Sequence, residues 1–437
     1  MKFELHYGKG KLSLQIPEKN IAQIVRPWQK APVGRRTDET WVSKALQCDE
    51  ARRFEHIIAG KRLCVLTEDG TRDGPFAEVF KQLFGLLRPS SQVLFIISTG
   101  THDADTGENN AIREEIEKAA NAANLHNFRI HTNDCRQDGF INAGRTCRGT
   151  GVLFNDEVAE TDVFLALSDM KTHYFSGYSN AIKNFVPGVC AFKTAEQNHR
   201  LALDENSTFG LHPWHSNQDR RANPCAADQL EGMRLLIKER PVYALATIST
   251  SQQVQWANFG HIEPVTRAGF DIIDKCNTHT VKPVPRLIVS PGGFPNDTNL
   301  YIAQRALELT KYAVSDGGEI LFLSACANGI GEQGTLENFY NLLTHPLEEV
   351  LESIKSEYRM YSHKPYKFAQ LISRLRRIWI HSQISDELIE PAHLHPAHQP
   401  QAIVDQWLGE DADTRIMAVD GANKIALYAS PADGRLA

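Results

Sequence analysis

Short apolar, β-branched segments alternate with helical stretches along most of this chain, and no other feature limits the possible folds as strongly. Strands separated by helices form βαβ units, whose sheets are mostly parallel. Strands are predicted at residues 62–68, 92–98, 127–131, 162–168, 242–249, 286–290, 319–324, 377–382 and 415–419. Helices are predicted at residues 75–84, 110–123, 226–238, 299–312 and 346–356. The sequence therefore predicts an α/β protein with mostly parallel sheets flanked by helices.

At 437 residues the chain is too long for one ordinary core, so we expect two domains. The segment CNTHTVKPVPR, residues 276–286, is polar, contains two prolines and precedes a new strand. We therefore predict a first domain at residues 1–278 and a C-terminal α/β domain at residues 279–437. The sequence leaves open whether residues 424–430 return to the first domain. An interdomain cleft is a common place for an active site, and we expect the second domain to close over it.

The composition argues against several classes of protein. Its hydrophobic content of 42% and charged content of 23% are normal for a soluble globular protein. The net charge of −6 disfavours a general nucleic-acid binder, which needs a basic face. No apolar run approaches the roughly 18–20 residues of a membrane helix, and the first residues alternate like a strand and not like a signal peptide. The eight scattered cysteines form no CxxC pair, which favours reduced thiols. We expect a cytoplasmic enzyme that binds neither nucleic acid nor membrane.

The first candidate motif is TEDGTRDGP, residues 67–75, which lies between a predicted strand and a predicted helix. Asp69 and Arg72 would then stand at the carboxyl end of a strand, the edge where ligands bind in open α/β sheets. The guanidinium fork of arginine suits both oxygens of a carboxylate. The alternative is an ordinary turn with an exposed ion pair.

The second motif is STGTHDADTGEN, residues 98–109, which also follows a predicted strand. His102 would project at the same edge as Arg72. A histidine in a glycine-flanked loop after a parallel strand is well suited to general base catalysis. A structural or merely exposed histidine is the alternative.

The third motif covers residues 168–199, in which Lys183 lies ten residues after His173 and sixteen before His199. This spacing offers an amine, a titratable imidazole and a possible metal ligand. The glycine- and serine-rich turn at residues 175–180 could hold a phosphate on its N–H groups. One imidazole is a poor zinc site, so a single histidine ligand makes sense only where another group supplies the remaining donors.

Two further motifs lie in the C-terminal half. In SPGGFPNDTNLYIAQRALEL, residues 290–309, Thr298 or Asn299 caps the predicted helix, and Tyr301 and Arg305 share one face of it. Gly329, Gly331 and Gly334 then spell GxGxxG after a predicted strand, which is the fingerprint of a dinucleotide site and leaves an NAD-dependent oxidoreductase open.

Three shorter segments complete the set. HKPYKFAQLI, residues 363–372, contains Lys364, a possible substrate contact. The histidine-rich LHPWH, residues 211–215, and HLHPAH, residues 393–398, look metal-like, but their prolines and spacing fit loops better.

Together these motifs resemble the signature of the nickel-pincer lactate racemase family. The pattern H-x-F-x-G-x₅-K-x₃-P-G begins at His173, and His199 follows at the family's distance. The D-x-T-R element at Asp69, the GTH at His102 and the N-L-Y at Tyr301 match flanking family motifs. The resemblance extends from the N-terminal segment to about residue 410.

The resemblance implies an isomerase, a racemase or epimerase that inverts C2 of a 2-hydroxy acid through a 2-keto acid. It implies as cofactor a nickel complex of pyridinium-3,5-bisthiocarboxylic acid mononucleotide, loaded by cofactor-synthesis enzymes. Lys183 would hold this cofactor through a thioamide, and His199 would ligate the nickel. The segment Asp69, Gly70, Thr71 and Arg72 would contact the cofactor. His102 and His173 would take the hydroxyl proton of opposite enantiomers while the α-hydrogen leaves as hydride.

The resemblance also implies substrate contacts. Arg72 and Arg305 would hold the carboxylate, with Tyr301, Ile302 and Lys364 nearby. Arg305 and Ile302 stand where the family has lysine and often glutamine, so we predict a substrate with a side chain larger than that of lactate. A second carboxylate or hydroxyls bound by Lys364 and Arg305 are the opposing possibility. The departures from the family pattern at residues 73, 103 and 302 leave open a paralogue that binds the cofactor without activity.

Overall fold

The computed structural model describes residues 1–28, 40–71, 74–250 and 253–430. Its strands are β1 Lys2–Tyr7, β2 Gly10–Gln15, β3 Ile21–Val25, β4 Arg62–Glu68, β5 Gln92–Ser98, β6 Phe128–Thr132, β7 Phe140–Arg145, β8 Gly151–Asn155, β9 Val163–Asp169, β10 Lys171–His173, β11 Gly177–Ser179, β12 Val242–Thr250, β13 Gln253–His261, β14 Thr278–Val281, β15 Val284–Ser290, β16 Val314–Leu323, β17 Arg377–His381, β18 His395–Pro396, β19 Ile416–Asp420 and β20 Ala426–Ala429.

Its helices are α1 Trp41–Leu46, α2 Asp49–Ile58, α3 Phe76–Leu83, α4 Gly107–Ala122, α5 Phe192–Arg200, α6 Pro224–Ile237, α7 Ile262–Asn277, α8 Leu300–Thr310, α9 Gln333–Leu336, α10 Leu347–Ser356, α11 His363–Arg374, α12 Asp386–Ile389 and α13 Pro400–Glu410. Within the described residues, none of these helices combines the length and apolar character that crossing a bilayer requires. The strands and helices alternate as predicted.

The chain forms two compact units. We call Val33–Ile273 the central unit, and Met1–Pro32 with Asp274–Ala437 the terminal unit. Each unit is built around its own mostly or wholly parallel sheet and its own apolar core. The predicted fold class, α/β with mostly parallel sheets flanked by helices, is confirmed.

The sheet of the central unit has the strand order β13-β12-β9-β4-β5-β6 among the described residues. All neighbours are parallel except the edge strand β13, which runs antiparallel to β12. The strands β4, β5 and β9 are almost continuously buried, because helices cover both faces of a parallel sheet. From β4 the chain moves outward through β5 to β6 and then returns to β9, on the other side of β4. The order therefore reverses between β4 and β9, and such a switch point is where open α/β sheets bind ligands.

The sheet of the terminal unit has the order β18-β17-β16-β15-β19-β3, and every pair in it is parallel. Its core combines apolar residues of the sheet with those of α8 and α11. On the other face, the buried Trp407 donates its indole N–H to Glu319 Oε2 at 2.8 Å.

The division of the chain differs from the predicted domains at the N-terminus. β3 joins the terminal unit by pairing with β19, nearly four hundred residues away, and Asn20 donates to the carbonyls of Ala412 and Thr414. The sequence left open whether residues 424–430 return to the first domain. In the structure, β20 of this segment pairs with β14 inside the terminal unit. Pairings over such distances leave no mark in local sequence, so the sequence predicts the N-terminal segment as part of the first domain.

Candidate active site

Three motif loops meet at the switch point of the central sheet. Asp69 follows β4, His102 follows the neighbouring β5, and His173 follows β9 on the other side of β4. Parallel strands place their carboxyl ends at one edge, so residues far apart in sequence come together there.

His102 is held by a carboxylate. Its Nδ1 lies 2.5 Å from Asp69 Oδ2, and Thr71 donates its hydroxyl to Asp69 Oδ1 at 2.6 Å. Asp69 is buried, whereas 37% of the His102 side chain is exposed. The carboxylate only accepts, so the ring nitrogen that faces it carries the proton and Nε2 carries the lone pair. His102 is therefore set to accept a proton at Nε2.

The loop that carries Asp69 requires glycine at position 70. The Gly70 N–H donates to Asn109 Oδ1 at 2.9 Å, and a Cβ at position 70 would lie 2.3 Å from the Cβ of Glu108. Any side chain would push the loop away from α4 and move Asp69 with it. Arg72 and Asp73 lie outside the described residues, so the predicted contact of Arg72 with a carboxylate stays a prediction.

His173 is held by the backbone. It ends β10, and the N–H of Ser176 in the following turn donates to His173 Nδ1 at 3.2 Å. In the neutral ring the proton therefore lies on Nε2. His173 is only 8% exposed. The turn closes at Gly177, whose φ is +74° and whose Cβ, if present, would lie 1.9 Å from the carbonyl oxygen of Leu211. Only glycine fits there.

The ring of Phe175 brings the third motif together. Its centroid lies 4.6 Å from that of His173 and 5.2 Å from that of His199, and Lys183 Nζ lies 5.7 Å from it. Lys183 belongs to a 3₁₀ turn that Asn180 caps by accepting the N–H of Ile182 at 2.9 Å. His173, Lys183 and His199, which are well separated in sequence, thus form one cluster around a single aromatic ring.

His199 is on α5, with Nδ1 2.8 Å from the carbonyl oxygen of Ala195. Burial, and then the nearby charges of Lys183 and His102, lower the pKa of His199 to about 3. The imidazole is therefore neutral at physiological pH, with its proton on Nδ1 and its lone pair on Nε2. A neutral ring oriented by a carbonyl is the form in which histidine ligates metals. Within the described residues, no group of three or more His, Cys, Asp and Glu side chains could hold a metal ion.

The predicted substrate contacts of the terminal unit also cluster. Asn299 caps α8, and Lys364 Nζ donates to the carbonyl of Tyr301 and lies 4.2 Å from the centroid of its ring. Burial and the nearby Arg305 hold the pKa of Lys364 well below its ordinary value. Ile302 follows Tyr301 and is half-buried.

The glycine-rich loop of the terminal unit packs against the same tyrosine. A Cβ at Gly331 would lie 3.1 Å from the Cβ of Tyr301. The helix after this loop, α9, has four residues and continues as a π-helical turn. A dinucleotide site needs a regular helix whose N-terminus faces the pyrophosphate. Packing accounts for the glycine, so the structure does not favour the NAD-dependent alternative.

One histidine in each of the two proline-containing segments has structural surroundings. His212 is buried, accepts the N–H of Trp214 at 3.1 Å and packs on Phe270. His393 lies in a left-handed turn with Nε2 2.8 Å from the carbonyl oxygen of His345.

Comparison with known proteins agrees with the motifs. Residues 7–210 match the model for the lactate racemase N-terminal domain, and residues 281–425 match that for the lactate racemase C-terminal domain. The chain belongs to the lactate racemase family. It is therefore an isomerase of the racemase type. Its relatives include the lactate racemases of Thermoanaerobacterium thermosaccharolyticum, 25% identical over 85% of either chain, and of Lactiplantibacillus plantarum, 21% identical over 90% of this chain and 92% of the relative.

Solved structures support the fold of this lactate racemase family member. The apoprotein of the lactate racemase from T. thermosaccharolyticum superposes with a TM-score of 0.83 at 21% identity, covering 98% of this chain and all of the other. A protein from Thermotoga maritima superposes with a TM-score of 0.66 at 12% identity, covering 89% of this chain and 97% of that one.

Proposed function

We propose that this protein racemises or epimerises a 2-hydroxy acid at C2, with a nickel-pincer nucleotide as its cofactor. The observation that carries the proposal is the cluster of His173, Lys183 and His199 around the ring of Phe175. Family membership supports the racemase class, and the cluster supports the finer chemistry.

The residues present fit this cofactor. Lys183 is an amine beside His199, close enough for its charge to lower the pKa of that histidine, and a thioamide at Lys183 would remove the charge. His199 would offer nickel one neutral imidazole, and the cofactor would bring the remaining donors. The loop of Asp69, Gly70, Thr71 and Arg72 would contact the cofactor. When bound, the group supplies a ring that can take and return hydride.

The two histidines would handle the proton of the substrate hydroxyl. His102, with its lone pair on Nε2, would take this proton from one enantiomer. His173 would serve the other enantiomer. With its proton on Nε2 it would donate a hydrogen bond to the substrate oxygen, and taking the proton itself would require the tautomer whose lone pair lies on Nε2. Because a 2-keto acid is planar, hydride could be returned to either of its faces, and both enantiomers would form. Histidine suits both directions because its ordinary pKa lies near neutrality.

The test of attachment is intact mass. Protein co-expressed with the cofactor-synthesis enzymes is expected to exceed the apo mass, and Lys183→Ala is expected to abolish the gain. Lys193→Ala, an exposed lysine on α5, is the matched control and should keep it. An unmodified wild-type mass, under conditions that load a known family member, would contradict the proposal.

We further propose that the substrate is larger than lactate. Ile302 is apolar where the family often has glutamine, and the ring of Tyr301 meets Phe339 and Tyr361 edge-on at 5.3 and 6.0 Å, so this helix end is aromatic and apolar. Apolar burial contributes roughly 25 cal/mol per Å². The buried amine of Lys364 already donates to the carbonyl of Tyr301, which weakens the case for a second carboxylate.

The test of substrate is kcat/KM across a panel of 2-hydroxy acids with aliphatic, aromatic, polyhydroxy and dicarboxylic side chains. We expect longer aliphatic or aromatic acids to exceed lactate, and Ile302→Gln to shift preference toward smaller or more polar acids. A kcat/KM for lactate above all of the others would contradict the size proposal. An unchanged order in the variant would exclude Ile302 from the pocket.

A further inference from the structure

A chain of buried hydrogen bonds joins the turn after His173 to the helix that carries His199. The Ser176 hydroxyl donates to Gln229 Oε1 at 2.8 Å, and Gln229 Nε2 donates to Asn198 Oδ1 at 3.1 Å. Ser176, Asn198 and Gln229 are each at most 1% exposed. Gln229 lies on α6, so one side chain links elements that are otherwise separate in sequence.

The chain ends at a carboxylate that fixes its direction. Asn198 Nδ2 donates to Asp228 Oδ2 at 2.9 Å, and Asp228 also accepts the hydroxyls of Thr146 and Thr150. A carboxylate only accepts, so the amide of Asn198 must turn its NH₂ toward Asp228 and its oxygen toward Gln229. Gln229 must then turn its NH₂ to Asn198 and its oxygen to Ser176. Each amide has one permitted orientation.

At Ser176 and at Asn198 the chain of hydrogen bonds reaches candidate site residues. The backbone N–H of Ser176 donates to His173 Nδ1, and Asn198 immediately precedes His199 on α5. A shift of Gln229 would therefore move both histidines. Asn223 adds a second tie from α6, because its side chain donates to the carbonyl of Phe175 at 2.9 Å. Displacements of about 1 Å in such groups can cost roughly 10²-fold in rate.

We propose that Gln229 is a positioning residue, which holds the His173 turn and the His199 helix in one arrangement through this directed chain. Burying four polar side chains is costly unless all are satisfied, and a satisfied network specifies one geometry where apolar packing would allow several. The catalytic consequence rests on the proposed function, but the positioning itself does not.

The test reverses the donor and acceptor roles along this chain of hydrogen bonds. Gln229→Glu keeps the acceptor for Ser176 but sets a carboxylate oxygen against Asn198 Oδ1. Adding Asp228→Asn moves the negative charge to the other side of Asn198. The Asn198 amide can then flip, donate to the new carboxylate at position 229 and accept from the new amide at position 228, but it gives up its hydrogen bond to the carbonyl of Cys225. The double variant has the same net charge and composition of groups as the wild type.

The first readout uses the whole protein without cofactor. Imidazole NMR signals of His173 and His199, assigned by replacing each histidine in turn, are expected to move in Gln229→Glu and to return toward their wild-type positions in the double variant. Gln304→Glu is the control, because Gln304 is equally buried but belongs to the terminal unit. It should leave both signals unchanged. Where Gln229→Glu does not fold, Gln229→Met tests the same two signals.

The second readout uses loaded protein. Nickel retained after dialysis and kcat are expected to fall about 10-fold or more in Gln229→Glu, with KM changing less, and to recover in the double variant. Unmoved histidine signals in Gln229→Glu, or a double variant further from wild type than the single one, would overturn the positioning role. Moved and restored signals in a protein that never takes up nickel would support positioning and refute the proposed function.

Discussion

His102 and His173 are the two candidates for proton transfer, and the protein holds them in different ways. His102 is partly exposed on a loop and is oriented by the carboxylate of Asp69. His173 is buried in a tight hairpin and is oriented by the N–H of Ser176. The two neutral rings accordingly carry opposite tautomers, with the Nε2 lone pair on His102 and Nε2–H on His173.

The difference determines whether a single substitution can reorient each histidine without disturbing the fold. The orientation of His102 depends on one side chain and its charge, so it can be altered without touching the core. The orientation of His173 depends on a glycine-closed turn and on the chain through Gln229, so it is part of the fold. Substitutions at the two histidines should therefore have similar effects on catalysis and different effects on stability.

The largest expected effect is on catalysis. His102→Ala and His173→Ala should each lower the rate of racemisation by about 10²–10⁴-fold, the usual contribution of general acid–base catalysis. Chiral chromatography of the product would measure this. Nickel content should stay near that of the wild type in both variants, whereas His199→Ala should lose nickel. Full activity in His102→Ala would remove it from the mechanism.

The next effect separates orientation from proton transfer. Asp69→Asn should lower kcat roughly 10- to 10⁴-fold, because an amide can no longer hold the ring of His102 in one tautomer by charge. Asp103→Asn, an exposed carboxylate in the same loop as His102, should stay near the wild-type rate. Equal rates in the two variants would mean that Asp69 does not orient His102.

A third prediction concerns the free energy of unfolding in urea. His173→Ala should lower it by about 2–4 kcal/mol, since a buried ring is lost and the N–H of Ser176 is left without its acceptor. His102→Ala should change it by about 0.5–1 kcal/mol, as expected for a partly exposed site. A larger loss of unfolding free energy in His102→Ala than in His173→Ala would contradict the distinction between a histidine held by a carboxylate and one held by the fold.

The smallest expected effect is on the pH dependence of folding stability. It concerns His212, a histidine that is buried outside the candidate site. Burial, and then the charge of His215, lower the pKa of His212 to about 3. The unfolded chain takes up a proton at His212 below about pH 6.5 and the folded chain does not, so folding stability falls as the pH drops from about 6.5 toward 3.

His212→Asn keeps an acceptor for the N–H of Trp214 and removes this titration. Between pH 7.5 and 5 the variant should therefore lose about 2 kcal/mol less unfolding free energy than the wild type. Urea unfolding at the two pH values would measure the difference. Parallel losses in the two proteins would show that His212 protonates freely in the folded state.

The sequence predicted the buried strands best. The bounds of β4 and β5 agree with the predicted residues 62–68 and 92–98, because strands covered on both faces are continuous apolar runs. The antiparallel edge strand β13 was missed, because QVQWANFGH mixes polar and apolar residues and has one sheet neighbour. The pairing of β3 was missed because its partner is remote in sequence.

The candidate site was predicted in part. The motif spacing identified His173, Lys183 and His199, and the structure gathers them around Phe175, a motif position to which the sequence assigned no role. The contact of Asp69 with His102 could have been inferred, since both follow neighbouring strands. Nothing in the sequence marks Gln229, because a glutamine on a helix looks the same whether it is exposed or bridges two elements.

The division into two units has an evolutionary consequence. The residues that would bind the cofactor and move protons all lie in the central unit, and Tyr301, Ile302, Arg305 and Lys364 all lie in the terminal unit. Each unit has its own core, so mutations that diversify one are buffered from the other. Under the proposed function, a lineage of such enzymes could acquire new substrates by drift or recombination in the terminal unit while inheriting its chemistry unchanged.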